Sequence, residues 1–206
     1  MAQFFQIHPQ NPQLRLIRRA VDIIRDGGLI IFPTDSSYAF GCRMGNKAGL
    51  DRICRIRQLG EEHFFALVCK DLSQIATFAK INNEAFRMIK TLTPGPFTFI
   101  LPATREVPRR LQHPKRKTIG IRLPDCAIAQ ALVAELEEPL FSSTLIMPGE
   151  WDALSDPYEI RERLEKEVDL IIDADVVPYA PTTIIGFTEE LPEIIRQGKG
   201  VANILQ

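Results

Sequence analysis

The stretch GGLIIFPTDSSY, residues 27–38, holds a helix stop, a strand and a polar turn. Gly27 and Gly28 close a pattern in which Leu14, Ile17, Val21 and Ile24 recur every three or four residues, so a helix is expected up to them. Asn11 and Pro12 supply its expected N-cap and first turn. Leu29–Phe32 is an unbroken apolar run ended by Pro33, which reads as a buried strand. The turn that follows carries Thr34, Asp35, Ser36 and Ser37. In open α/β sheets ligands bind beyond the carboxyl ends of strands, so hydroxyls at this point are placed for recognition. The same residue types also build ordinary turns.

Outward from this stretch, helical and extended patterns alternate. Asn46 is a cap for a helix through Leu50, Ile53 and Ile56, and Asp71 caps another that follows the apolar run Phe64–Cys69. A helix carrying Phe86 and Ile89 is broken by Thr93-Pro94-Gly95-Pro96. Strands are expected at Phe97–Leu101, Thr118–Leu123, Leu140–Ile146, Thr182–Phe187 and Glu193–Arg196, with a helix at Cys126–Leu136. Asp156-Pro157-Tyr158-Glu159 is an N-cap with proline at the first helical position and an acid three residues on. The expectation is one α/β domain built on a mixed sheet, without internal repeats or low-complexity linkers.

Composition sets the outer limits. The 206 residues are 45% hydrophobic and 25% charged, ordinary globular usage that argues against wholesale disorder. Lys and Arg number 25 against 26 Asp and Glu, which excludes a generally basic nucleic-acid coat. The charge is unevenly placed: Arg105–Lys117 holds six bases and one acid, whereas Glu150–Asp175 holds ten acids and three bases. The cysteines (42, 54, 69, 126) and histidines (8, 63, 113) are scattered with no Cys-x-x-Cys pair, so neither a disulfide framework nor a metal site is expected. Met1–Pro9 lacks a basic region followed by an apolar run, and no apolar stretch is long enough to span a bilayer. A soluble, reduced, cytoplasmic protein without membrane contact is expected.

Several segments carry groups suited to anions or hydroxyl recognition. Arg52, Arg55 and Arg57 cluster at an expected helix end; Arg55 and Arg57 do not share a face on a regular helix, though they can converge where it frays. Ser142-Ser143-Thr144 ends a strand, and Arg122 lies in an apolar strand four residues after Thr118, where a buried guanidinium needs a partner or a ligand. Arg196-Gln197-Gly198-Lys199-Gly200 is a basic, glycine-bearing end able to approach a phosphate. There is no Walker loop, no Gly-x-Gly-x-x-Gly and no Gly-x-Ser-x-Gly.

Taken in order, FPTDSSYAFGC (32–42), RICRIRQL (52–59), TPGPFTFIL (93–101), KTIGIRLPD (117–125), SSTLIMPG (142–149), PTTIIGF (181–187) and IIRQGKG (194–200) resemble the YrdC-like family, and within it the YciO branch. The resemblance covers residues 3–200 and implies the short form, without the extra C-terminal domain. It implies a twisted α/β sheet with a concave basic cavity. For characterised members it implies synthesis of L-threonylcarbamoyladenylate from ATP, L-threonine and bicarbonate with release of pyrophosphate, for tRNA threonylcarbamoyladenosine formation. Binding of double-stranded RNA or tRNA is a further family property.

Carried over by position, the resemblance implies ATP binding by Arg55, Arg57, Thr118, Thr144 and Arg196, and threonine binding by Thr34, Arg122, Ser142 and Thr182. Magnesium is expected with the ATP; no permanent cofactor and no general base are nominated. The sequence also departs from the synthases. Ile146 replaces the asparagine of Ser-x-Asn, Cys69 a histidine, Phe64 an asparagine, and Arg55 the lysine of Lys-x-Arg. Two readings stay open: a nucleotidyltransferase of the synthase type, or an RNA-binding protein of the same fold using Arg109, Arg110, Lys115, Arg116 and Lys117. A hydrolase or carrier on this fold is a third.

Overall fold

A computed structural model describes residues 1–60, 65–188 and 191–202. Ten strands form one mixed sheet: β1 (Gln3–Gln6), β2 (Ile30–Pro33), β3 (Tyr38–Arg43), β4 (Ala66–Val68), β5 (Phe97–Pro102), β6 (Thr118–Arg122), β7 (Leu140–Thr144), β8 (Leu170–Asp173), β9 (Thr183–Gly186) and β10 (Glu193–Arg196). Their spatial order is β1-β8-β2-β3-β7-β4-β6-β5-β9-β10. Four pairs are parallel (β1 with β8, β2 with β8, β4 with β6, β5 with β9) and the other five antiparallel. The helices among the described residues are α1 (Leu14–Arg25), α2 (Lys47–Arg57), α3 (Leu72–Phe78), α4 (Asn83–Leu92), α5 (Ala127–Leu136) and α6 (Pro157–Leu164).

Local chemistry explains most boundaries. Asn46, Asp71 and Asp156 cap α2, α3 and α6 by accepting backbone N–H bonds, as their positions predict. The first helix departs from expectation: Asn11-Pro12 lies outside it, and the N-cap is Gln13, which makes no capping bond. The Gln13 side chain instead accepts from the His8 N–H, while His8 Nδ1 accepts from Gln10 and Asn11. The capping box at Asp156 forms only half: Glu159 receives Arg163 rather than returning a bond to the cap. Three strands go unseen in the sequence reading, namely β1, β3 and β8, and Phe64, the expected start of the fourth strand, lies outside the described residues.

The strand period of two divides the sheet into unlike faces. One face carries Phe40, Leu67, Phe99, Ile121 and Phe141, and is covered by α2, α3, α4 and α6. The other is covered by α1 and α5, which pack over Phe5, Ile30, Phe32, Leu140 and Ile172. Those two helices reach only the β1-β8-β2-β3 half of that face and its border at Leu140 and Val68. Beyond the border the same face continues through Ser142, Ala66, Arg122, Thr98 and Ile184 with no helix over it. Five of the ten strands thus present a floor of mostly small and polar side chains uncovered by any helix among the described residues.

Candidate functional site

This floor forms a cavity of about 270 Å³. Ser142 and Thr144 of β7, Arg122 of β6, Thr98 and Ile100 of β5, and Ile184 of β9 contribute alternate residues to it, as pleating requires. The turn after β2 closes one end with Ser36 and Ser37, and Tyr179, Pro181 and Thr182 close another. Three arginines reach it from distant parts of the chain: Arg57 from the end of α2, Arg122 from β6 and Arg196 from β10. Among the described residues lining the cavity none is acidic.

Each arginine is held differently. Arg57 donates from Nε to the Ile146 carbonyl at 3.0 Å and from Nη1 to Ser143 Oγ. Burial pulls its pKa below the ordinary arginine value, with Tyr179 and Cys54 acting in the opposite sense. Arg196 is fixed by bonds from Nη2 and Nε to the Thr182 carbonyl at 2.9 and 3.3 Å, and the Thr182 hydroxyl meets that of Thr98 at 2.8 Å. Arg122 is almost wholly buried and pairs with Asp35, whose second oxygen accepts the Asp125 N–H. Burial lowers the Arg122 pKa while Asp35 opposes the shift. The Arg122 Nε–H is buried without a hydrogen-bond partner.

A strap completes the wall at Arg196. Thr183 Oγ1 accepts the Gly198 N–H at 2.9 Å and donates to the Gly200 carbonyl, and Lys199 Nζ donates to the Asp35 carbonyl at 2.8 Å. A Cβ on Gly198 would lie 2.2 Å from the Pro181 oxygen, so only glycine fits there.

Of the residues expected to bind ATP, the fold brings Arg57, Thr144 and Arg196 to the cavity. Arg55 is not among them: it points from α2 to Glu167 at 2.8 Å, because residues two apart leave a helix on different sides. Thr118 is buried on the same face of β6 as Arg122 but four residues away, about 13 Å along an extended strand, and its hydroxyl has no partner. Of the expected threonine-binding residues, Arg122, Ser142 and Thr182 line the cavity. Thr34 is not among the lining residues, its hydroxyl donating to the Ser37 carbonyl, accepting the Ser36 and Ser37 N–H groups and meeting the Ser36 hydroxyl at 3.2 Å; Ser36 and Ser37 line the cavity in its place.

The basic residues Arg109, Arg110, Lys115, Arg116 and Lys117 do not rim the cavity. Their loop is anchored through Val107 and Leu111 in the core on the other face of the sheet, and Arg110 donates to the Gly45 carbonyl. Ile146 lines the cavity, whereas Cys69 lies in the core with its thiol pKa pushed up by burial; Phe64 is outside the described residues. Sequence reasoning missed Thr98, Ala66, Ile100 and Ile184. Thr98 and Ala66 carry a signal, since their alternation with Phe97, Phe99 and Leu67 points small and polar side chains to one face, whereas Ile100 and Ile184 are apolar like their neighbours and carry none.

An uncovered sheet face bearing an arginine-and-hydroxyl cavity is what distinguishes this α/β protein. The Sua5/YciO/YrdC family model, described as "Telomere recombination", matches residues 22–198, and the chain belongs to that family. It is 54% identical over 200 residues to "Uncharacterized protein YciO" of Escherichia coli strain K12, spanning 97% of each chain. The crystal structure of E. coli YciO matches it with a TM-score of 0.96 and 52% identity over 100% of both chains. A threonylcarbamoyl-AMP synthase of Hydrogenovibrio crunogenus is 30% identical over 145 residues, 68% of this chain and 77% of its own length. P. abyssi Sua5 complexed with L-threonine gives a TM-score of 0.87 at 25% identity, covering 95% of this chain and 57% of that one. No helix among the described residues is long and apolar enough to cross a membrane.

Proposed function

We propose that the cavity binds ATP together with L-threonine and bicarbonate and joins them as threonylcarbamoyl-AMP, releasing pyrophosphate. The observation that carries this reading is the convergence of Arg57, Arg122 and Arg196 on one hydroxyl-lined cavity. Fixed guanidinium groups suit phosphate and carboxylate oxygens and stabilise charge as pyrophosphate departs. In this reading Arg57, Arg196 and Thr144 hold the phosphate chain, while Arg122, Ser142 and Thr182 hold the amino acid. The threonine amine adds to bicarbonate with loss of water, and the carbamate oxygen so formed is aligned for in-line attack on the α-phosphorus, breaking its bond to the departing pyrophosphate, so the protein works by positioning rather than by a general base. Magnesium enters as part of the nucleotide, held mainly by its phosphate oxygens.

Calorimetric titration with MgATP, with and without L-threonine and bicarbonate, followed by a pyrophosphate-release assay, tests this reading. Threonine-dependent release that disappears in Arg57→Ala is the expected result. Nucleotide binding without threonine-dependent turnover would remove the synthase step. Ile146 in place of the synthase asparagine predicts turnover on the order of 10²-fold below the synthases, by analogy with a lost hydrogen-bond donor at developing charge.

A second reading has its own surface. Arg109, Arg110, Lys115, Arg116 and Lys117 are all exposed on one loop away from the cavity, which suits contact with an RNA backbone. Binding of double-stranded RNA that falls steeply with salt, with a shallower slope after charge reversal at Arg109 and Arg116, is the expected result. Salt-independent binding would remove this reading.

A further inference from the structure

The chain contains a single tryptophan, and 93% of it is exposed. An indole is highly buried on average, and one left in water on a braced segment presents both of its aromatic faces to whatever binds beside it. Trp151 stands on a short finger whose base adjoins Ile146, a residue of the cavity wall. Its base is the bridge between Ile146 and Ala153, reinforced by the Leu154 N–H donating to the Leu145 carbonyl at 2.9 Å. Its tip is a turn in which the Glu150 N–H donates to the Met147 carbonyl, with Pro148 second and Gly149 third at φ +80°, the pattern of a type II turn. The carboxylate of Glu150 is tied to Arg163 at 2.8 Å. The finger is therefore pre-set, and Trp151 is two residues from the position bridged to Ile146.

Ile146 joins the finger to the site: its side chain lines the cavity and its carbonyl receives Arg57. A cavity of about 270 Å³ lies below the usual size for enclosing a drug-sized ligand. A nucleoside triphosphate sharing this open cavity with an amino acid would extend toward its rim. Phosphates belong inside, against the arginines. The part that can lie outside is the uncharged base, whose flat faces need an apolar or aromatic surface.

We propose that Trp151 is a stacking platform for the nucleobase of a nucleotide whose phosphates lie against Arg57. The proposal rests on the reading of the cavity as a nucleotide site. It makes the finger a specificity element that separates nucleotides from other polyanions. Tripolyphosphate shares the charge of ATP and lacks the base, so it enters the cavity without engaging Trp151.

The test uses the full chain and the fluorescence of this one indole. MgATP is expected to quench and shift the emission as binding saturates, whereas magnesium tripolyphosphate binds with little optical change. By calorimetry, Trp151→Ala is expected to weaken ATP about tenfold and leave tripolyphosphate unchanged, with Trp151→Phe retaining most of the affinity. Heat of ATP binding with no change in emission, or an unaltered ATP affinity in Trp151→Ala, would overturn the platform and leave the nucleotide site standing. Absence of heat with either ligand would overturn the nucleotide site and the platform together.

Discussion

The Arg122 guanidinium and the Asp35 carboxylate form an ion pair with side chains only 8% and 7% exposed, tying the end of β6 to the turn after β2. A pair this deep is sensitive to the loss of one partner, because the surviving charge has no water to turn to. Asp35→Ala is expected to lower unfolding free energy by about 3–5 kcal/mol in urea titrations. The double variant Asp35→Ala, Arg122→Met should recover part of that loss. A single variant as stable as the parent would show that the pair is not what holds the turn.

Two arginines two residues apart in sequence should behave in opposite ways. Arg57 enters the cavity, so Arg57→Gln is expected to weaken MgATP roughly 10- to 100-fold, the range for a charge-assisted bond. Arg55 pairs with Glu167 at the surface, its side chain 68% exposed, so Arg55→Ala should leave nucleotide affinity unchanged and stability within about 1 kcal/mol. Equal losses of affinity in both variants, measured by calorimetry, would contradict this division.

Burial pushes the Cys42 thiol up from 9.0 to about 12, the main cause being loss of water, with Arg110 and Arg52 acting against it. The folded chain then keeps a proton that the unfolded chain gives up. The stabilising contribution is complete below about pH 9 and is lost as pH rises toward 12. Urea unfolding at about pH 8 and about pH 10.5 should show falling stability, and Cys42→Ala should flatten the slope by up to about 1.4 kcal/mol per pH unit. An identical slope in the variant would remove Cys42 from this behaviour.

Gly198 is enclosed by backbone, with Pro181 and Thr182 oxygens 2.2 and 2.5 Å from where a Cβ would stand. Gly198→Ala is expected to cost about 1–3 kcal/mol and to weaken ATP, since Arg196 is anchored to the Thr182 carbonyl that must move. Gly60→Ala, with nothing near the added carbon, serves as the control and should do neither.

Much of this architecture can be read without coordinates, and the failures have physical causes. Capped helices such as α2, α3 and α6 announce themselves because a side-chain oxygen must meet specific backbone N–H groups. Strand β3, Tyr38–Arg43, is buried on both faces, so it has no alternation to betray it, and the polar turn before it ends the apparent run. Strand β8 lies inside the acidic stretch, where the surrounding charges hide Leu170-Ile171-Ile172. In the site, hydroxyls and arginines mark the right segments. Adjacency in sequence cannot separate Arg57, which enters the cavity, from Arg55, which leaves the helix toward Glu167. Nor can it show that the basic loop folds over the opposite face from the arginine cavity.

The parallel pairing of β9 with β5 has a consequence for the order in which the protein matures. Thr182, Ile184 and Arg196 form the last wall of the cavity, and all three are translated after every other arginine and hydroxyl that lines it. Until β9 docks, β5 is an open sheet edge and the floor is a shallow shelf. A nascent chain on the ribosome therefore passes through a stage with most of its core residues made and no closed pocket, in which ligand capture waits on the final strands.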